Sequence, residues 1–229
     1  MTVAPGVTAT AQLHGTPPTV SGERDRARVS STIRSRPDRF GRIRRRGDLA
    51  TVLASMVAAE AAGLSPARVN VVLIAGLNDD EGESFAAFVR TTGRVMRFIE
   101  FMPLDGDGEW RRDLVVPADE VLARIGAEAS QPAERYRFLD GKGEVGMIAS
   151  VTRPYCGTCD RLRLTADGSL RNCLFADEEP SVRKVLHDGG TDDDLALMIR
   201  RAVWAEFPGH GINDPTFLRP GRSMSMIGG

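Results

Sequence analysis

Apolar residues recur at helical spacing at Leu49, Val52, Leu53, Met56 and Val57, behind Asp48, a good N-cap, and ahead of Gly63, which closes the segment. This pattern predicts an amphipathic helix. Residues 68–74 (RVNVVLI) form a nearly continuous, β-branched run of the kind that suits a strand covered on both faces. A turn follows at 76–80. A second helix carries Phe85, Phe88 and Val89 to Gly93, and a second buried strand spans 95–102. Such alternation predicts βα units around a parallel sheet, whose strand C-terminal ends normally carry the ligands. A barrel and an open doubly wound sheet both fit it, so the fold class is α/β.

The texture changes after Pro103: a Gly/Asp loop, a short helix near 117–125, then strand-like pieces at 136–139 and 145–151. The last helices are expected at 180–187 and 192–206, where Leu195, Met198, Ile199, Ala202 and Val203 form an apolar stripe expected to be core. Residues 1–27, rich in Thr, Pro, Ala and Gly and without periodicity, read as a disordered tail, and order is expected from the stretch 29–33.

With 229 residues and 41% hydrophobic content, the chain can bury a sizeable core. Thirty Lys and Arg against thirty-one Asp and Glu leave it near neutrality, which gives no argument for a general nucleic-acid or membrane-surface binder. The basic run Arg42, Arg44, Arg45, Arg46 reads as the solvated approach to a helix. No apolar h-region or membrane-length apolar window is evident, and a cytoplasmic location is expected.

All three cysteines fall between 156 and 173, which suits a thiolate metal site in a reducing compartment better than a disulfide framework. Cys156 and Cys159, two residues apart, can reach one metal from a single tight turn. Residues 161–165 alternate, Ala166-Asp167-Gly168 signals a turn, and 170–174 runs back to return Cys173 to the pair. Spacing leaves the metal open. Three thiolates with His187 or His210 would close a tetrahedral zinc site, whereas three thiolates on a four-iron cluster leave one iron open. Each histidine also reads as a helix cap or an exposed loop residue. Arg161 and Arg163, two apart on one strand, share a side of the hairpin, either as donors to an anionic ligand or as its solvated face.

The runs RPDRFGRIRRRGDL, ARVNVVLIAGLNDDE, RFIEFMPLDG, YCGTCDRLRLTADGSLRNCLF and the terminal MSMIGG resemble the molybdenum cofactor biosynthesis protein A family, the GTP 3′,8-cyclases of the radical SAM class, from about residue 35 to the end. The resemblance implies the C-terminal part of a partial radical SAM βα barrel over 28–104 and an α+β cluster and GTP-binding region over 105–229. It implies a [4Fe-4S] cluster on Cys156, Cys159 and Cys173 whose open iron meets the purine of GTP. Contacts to GTP are implied at Arg161, Leu162, Arg163 and Arg68, the last where the family has a lysine. Contacts to S-adenosylmethionine are implied at Ser31 and Met102. Gly228 and Gly229 match a diglycine tail thought to reach the active site.

The family also carries an N-terminal cysteine triplet that holds the cluster cleaving S-adenosylmethionine, and no cysteine precedes Cys156 here. On that ground the chain is expected to be a truncated member, unstable as an isolated monomer and inactive by itself: a degraded gene product, a fragment of a longer reading frame, or a piece that acts as a homodimer or with a complementing polypeptide. The alternative is a metal-stabilised nucleotide- or protein-binding module without catalysis.

Overall fold

The computed structural model describes residues 28–29, 49–63, 68–104, 108–129, 135–159, 161–176, 178–205 and 211–227. The expectations for the tail 1–27, for Ser31, for the basic run, for His210 and for Gly228 and Gly229 lie outside these residues. Two compact units make up the chain, one from Met1–Phe101 and Asp113–Ala149, the other from Met102–Arg112 and Ser150–Gly229.

The first unit is built on a six-stranded sheet. Its strands are β1 (Arg28–Val29), β2 (Arg68–Leu73), β3 (Val95–Glu100), β4 (Ala127–Ala129), β5 (Arg135–Phe138) and β6 (Glu144–Ile148), in the order β1-β2-β3-β6-β5-β4. The first four in that order are mutually parallel, with β2 and β3 in register from Arg68↔Val95 to Leu73↔Glu100, and β5 and β4 follow antiparallel. The sheet is therefore mixed, and the texture change after Pro103 does not end it: β6 pairs directly with β3.

Helices α1 (Leu49–Ala61) and α2 (Gly82–Thr92) form where the apolar spacing predicts them, and α3 (Ala118–Ile125) falls within the short helix expected near 117–125. Met56, Phe85, Val89, Val121 and Leu122 from these helices join Val69, Val71, Leu73, Met96, Phe98, Val145 and Met147 from the strands in one buried cluster. Each large apolar side chain fully buried there contributes on the order of 2 kcal/mol relative to exposure, and the Phe85 and Phe98 rings add an edge-on contact at 6.5 Å.

Only one face of β2 and β3 is fully covered. Asn70, Val72, Arg97 and Ile99 on the opposite face are half-buried, which corrects the expectation of strands covered on both sides. The helices all join the cluster on the Val69–Phe98 face, so alternate residues remain partly open. On α1 only Met56 is fully buried, and Val57 is exposed.

Buried polar groups close the sheet's C-terminal ends. Asn78 is fully buried; its Oδ1 accepts the Ile74 N–H at 2.7 Å and its Nδ2 donates to the Val72 carbonyl at 2.9 Å, so the chain leaves β2 with no unpaired backbone group at either site. The buried Glu100 carboxylate accepts the Ala118 N–H at 2.9 Å, at the start of α3, where negative charge is favoured. Gly93 ends α2 at φ 66°, a left-handed cap that returns its N–H to the Val89 carbonyl.

In the second unit, β7 (Arg163–Leu164) and β8 (Leu170–Arg171) form a hairpin, followed by α4 (Val182–His187) and α5 (Asp192–Trp204). Ser181 caps α4 and a Thr191/Asp194 capping box starts α5. The segment 102–112 joins this unit through its own bonds: Met224 N–H to the Leu104 carbonyl at 2.8 Å, Arg219 to the Trp110 carbonyl at 2.9 Å, and Arg112 to Asn213 at 2.5 Å. The stripe on α5 is not core: Ala202 is buried, Leu195 and Met198 are half-buried, and Ile199 and Val203 are exposed. Among the described residues no helix is long and apolar enough to cross a membrane.

Candidate metal and nucleotide site

Cys156 opens a single 3-10 turn, Cys156–Thr158, and the Cys159 N–H closes it on the Cys156 carbonyl at 3.1 Å. The third cysteine, Cys173, lies in the turn after β8, where the Phe175 N–H points at its sulfur at 3.4 Å. All three are half-buried free thiols.

The hairpin that the sequence predicts between them forms, but its ladder is only two pairs long, Arg163↔Arg171 and Leu164↔Leu170. Cys159 and Cys173 both lie beyond the last pair, so no ladder bond fixes their separation. Among the described residues no group of three His, Cys, Asp or Glu side chains is gathered to hold a metal ion. His187, in the last turn of α4, is exposed.

The turn itself is tightly made. Thr165 donates its N–H to the Ser169 carbonyl at 2.8 Å and accepts the Ser169 N–H on its hydroxyl at 2.9 Å. Gly168 sits between them at φ 83°, with the Arg183 Cβ only 2.7 Å from where a side chain would start, so glycine is required on both counts.

Burial along this hairpin does not follow polarity, for Leu170 and Arg171 on β8 are both buried. Leu162 and Leu164 are 39% and 64% exposed, while Arg163 is half-buried and Arg171, directly across the ladder, is 1% exposed. Like charges opposite one another destabilise an antiparallel pair. Burial first, then the neighbouring Arg161, pulls the Arg163 guanidinium below the ordinary arginine value; Tyr155 and Cys159 partly offset this, and Arg171 adds to it. Arg161 is exposed and lies 4.6 Å over the Tyr155 ring. Arg163 has no hydrogen-bond or ion-pair partner among the described residues.

Sequence reasoning missed the charges behind this pair. Arg171 donates to the Cys173, Leu174 and Ala176 carbonyls at 3.3, 2.9 and 2.7 Å and pairs with Glu179. The second Glu179 oxygen lies 3.2 Å from Arg222, which in turn donates to Asp167 at 2.7 Å. Hydrogen bonds from Arg222 and then Thr165 hold the Asp167 carboxyl well below the usual carboxylate range, and Asp167 raises Arg222 in return. A cleft of about 360 Å³ is lined by Arg171, Ala176, Glu179, Gly221 and Arg222. The one available signal was an arginine in a short strand two residues before a candidate ligand.

Of the other expected contacts, Arg68 begins β2 opposite Val95 and is described in its backbone alone. Met102 follows β3, half-buried, with its carbonyl accepting the Leu104 N–H at 2.7 Å.

The family model described as Molybdenum Cofactor Synthesis C matches residues 94–212, just over half of the chain. The chain belongs to the Molybdenum Cofactor Synthesis C family. Among curated relatives, GTP 3′,8-cyclase of Streptomyces coelicolor is 45% identical over 217 residues, 90% of this chain and 63% of that protein. GTP 3′,8-cyclase of Corynebacterium glutamicum is 42% identical over 207 residues, 84% and 55% of the two chains. GTP 3′,8-cyclase 2 of Mycobacterium tuberculosis is 43% identical over 204 residues, 83% and 57%. The chain thus spans between 55% and 63% of the length of these relatives.

The donor types are those an iron-sulfur cluster takes, three free thiols of which one receives a backbone N–H, although among the described residues they are not gathered into a metal-holding group. Cys156, Cys159 and Cys173 are the residues that would hold it. For S-adenosylmethionine, Met102 is the one expected contact among the described residues, and a half-buried thioether does not by itself make a binding set.

Proposed function

We propose that this chain binds GTP through the second unit and serves the GTP 3′,8-cyclase reaction, the first step of molybdenum cofactor biosynthesis, with a [4Fe-4S] cluster on Cys156, Cys159 and Cys173. The observation that carries the proposal is Arg163, a half-buried cation beside the thiols, across the ladder from the buried Arg171 and without a hydrogen-bond or ion-pair partner among the described residues. Arg171 is satisfied within the chain by Glu179 and three carbonyls, which leaves Arg163 as the covered cation whose cost a bound anion or polar base edge would offset.

A four-iron cluster held by these three cysteines would supply an iron with an open coordination position for the purine. The chain's own residues do the rest. Arg163, half-buried and facing two other arginines, is relieved by an electron-rich acceptor, and its planar fork donates two parallel hydrogen bonds to a base edge or phosphate oxygens. Water competes less there than on an open surface, so each such bond is stronger. Arg161, whose guanidinium lies over the Tyr155 ring, and Leu162 between the two are the next proposed GTP contacts. Arg68 is the fourth proposed GTP contact, and Ser31 and Met102 the proposed contacts to S-adenosylmethionine. The parallel run β1-β2-β3-β6 is read as the C-terminal part of a radical SAM barrel.

Anaerobic reconstitution with iron and sulfide, followed by equilibrium dialysis against GTP with ATP as competitor, tests this. The expected result is a coloured protein with about four irons per chain. It should retain GTP in preference to ATP, and Arg163→Ala should weaken that retention roughly 10- to 100-fold, the worth of a hydrogen bond to a charged group. A colourless, zinc-loaded protein, or GTP retention indifferent to Arg163→Ala, would overturn the reading.

A further inference from the structure

We propose that Arg171 is a positioning residue for the third thiolate, holding the turn that presents Cys173. This rests on the reading of Cys156, Cys159 and Cys173 as the cluster ligands. Arg171 stands at the end of β8, where a strand facing the interior would ordinarily carry an apolar side chain, and it is 1% exposed. A buried guanidinium opposite a second arginine is a costly choice for packing alone.

Its donors account for that choice. Nε donates to the Cys173 carbonyl at 3.3 Å, and Nη2 to the Leu174 and Ala176 carbonyls at 2.9 and 2.7 Å. Nη1 pairs with Glu179, whose other oxygen lies 3.2 Å from Arg222. One rigid planar fork thus satisfies three carbonyls of a turn that lies beyond the last ladder pair of the hairpin. Within that turn the Ala176 N–H returns to the Cys173 carbonyl at 3.3 Å, and the Phe175 N–H is aimed at the Cys173 sulfur at 3.4 Å. The guanidinium does for residues 173–176 what a backbone ladder does inside a strand. A lysine keeps the charge but cannot grip three carbonyls in one plane.

The test compares the parent full-length chain with Arg171→Lys, Arg171→Met and Glu179→Gln, each checked for folding by circular dichroism. In the metal-free chain, mass spectrometry after brief alkylation with iodoacetamide at constant pH gives the modification of Cys173 relative to Cys156 and Cys159, an internal reference that general instability does not move. After reconstitution, iron loss to a chelator is timed. Removing an outer-shell partner typically weakens metal binding about 10- to 100-fold. Arg171→Lys should therefore raise relative Cys173 alkylation and speed iron loss by roughly that factor, with Arg171→Met alike and Glu179→Gln smaller in the same direction. If the folded variants keep the parent's alkylation ratio and iron retention, the proposal is wrong. If instead the parent takes up no cluster, or Cys173→Ser retains it, the cluster reading fails, and the alkylation ratio of the metal-free chain alone decides the role of Arg171.

Discussion

Asn78→Ala removes a side chain that is fully buried and that makes both of its hydrogen bonds to main chain at the end of β2. The substitution leaves the Ile74 N–H and the Val72 carbonyl without a partner, and each orphaned buried group costs about 1–3 kcal/mol. Both residues are half-buried, so water recovers part of the loss and the lower half of the range applies, roughly 2–4 kcal/mol in total. For a chain of this size that corresponds to a fall in melting temperature of about 10 °C. Urea unfolding followed by circular dichroism measures it, and an unchanged m-value would show that native-state stability has moved rather than the unfolded ensemble.

Asn78→Asp sharpens the test, because it keeps the shape and the acceptor for Ile74 but sets a carboxylate against the Val72 carbonyl. Burial raises the pKa of that carboxyl in the folded state. A raised folded value means that stability is highest below the unfolded pKa and is lost as pH rises from about 4 through the folded value. Asn78→Asp should therefore recover in acid relative to its own neutral-pH stability, while Asn78→Ala shows no such trend. A cost below about 1 kcal/mol for Asn78→Ala, or a flat pH profile for Asn78→Asp, would refute the view that these two bonds hold the strand end.

Asp167, held low by Arg222 and Thr165, contributes its ion pair above the ordinary aspartate value and loses it only as pH falls through its depressed one. An NMR titration of its carboxyl carbon should show a midpoint below the usual range that moves back up in Arg222→Ala, and an ordinary midpoint in the parent would contradict the pair. Gly168→Ala should cost about 1–3 kcal/mol, since it combines a left-handed backbone with a 2.7 Å approach to Arg183; an unchanged melting curve would show that the turn relaxes freely. Leu164→Lys, at an exposed position of the hairpin, should stay within about 0.5 kcal/mol of the parent, and a larger loss would mean that this position is covered.

What was legible in the sequence was local. The spacing of Leu49, Val52, Leu53 and Met56 and of Phe85 and Val89 gave two helices, a third was expected near 117–125, and the Val/Ile runs gave β2 and β3. The short strand β4 was not legible: Ala127–Ala129 carries no β-branched or aromatic residue and is strand only because Ala127 and its neighbours pair with β5. The exposed Ile199 and Val203 on α5 were misread as core because periodicity marks an apolar stripe without saying what covers it. At the site, the Cys-x-x-Cys turn and the returning hairpin could be read directly, and Arg161 and Arg163 could be placed on one side of it. Arg171 could not, since an arginine in a short strand reads as solvated until Glu179 and three carbonyls are seen around it.

The three cysteines, their spacing, the turn at Ala166-Asp167-Gly168 and the family all follow from the order of residues alone, because thiol spacing, turn chemistry and hydrophobic period act within a few residues of one another. The tertiary structure decided what depends on distant partners: that β6 returns beside β3, that one face of the sheet takes the helices, and that Arg171 of the hairpin is covered while Leu164 is left in solvent. Burial of a charge is a property of everything that surrounds it. The carbonyls of 173, 174 and 176 and the carboxylate of Glu179 meet Arg171 only after the chain has folded back on itself.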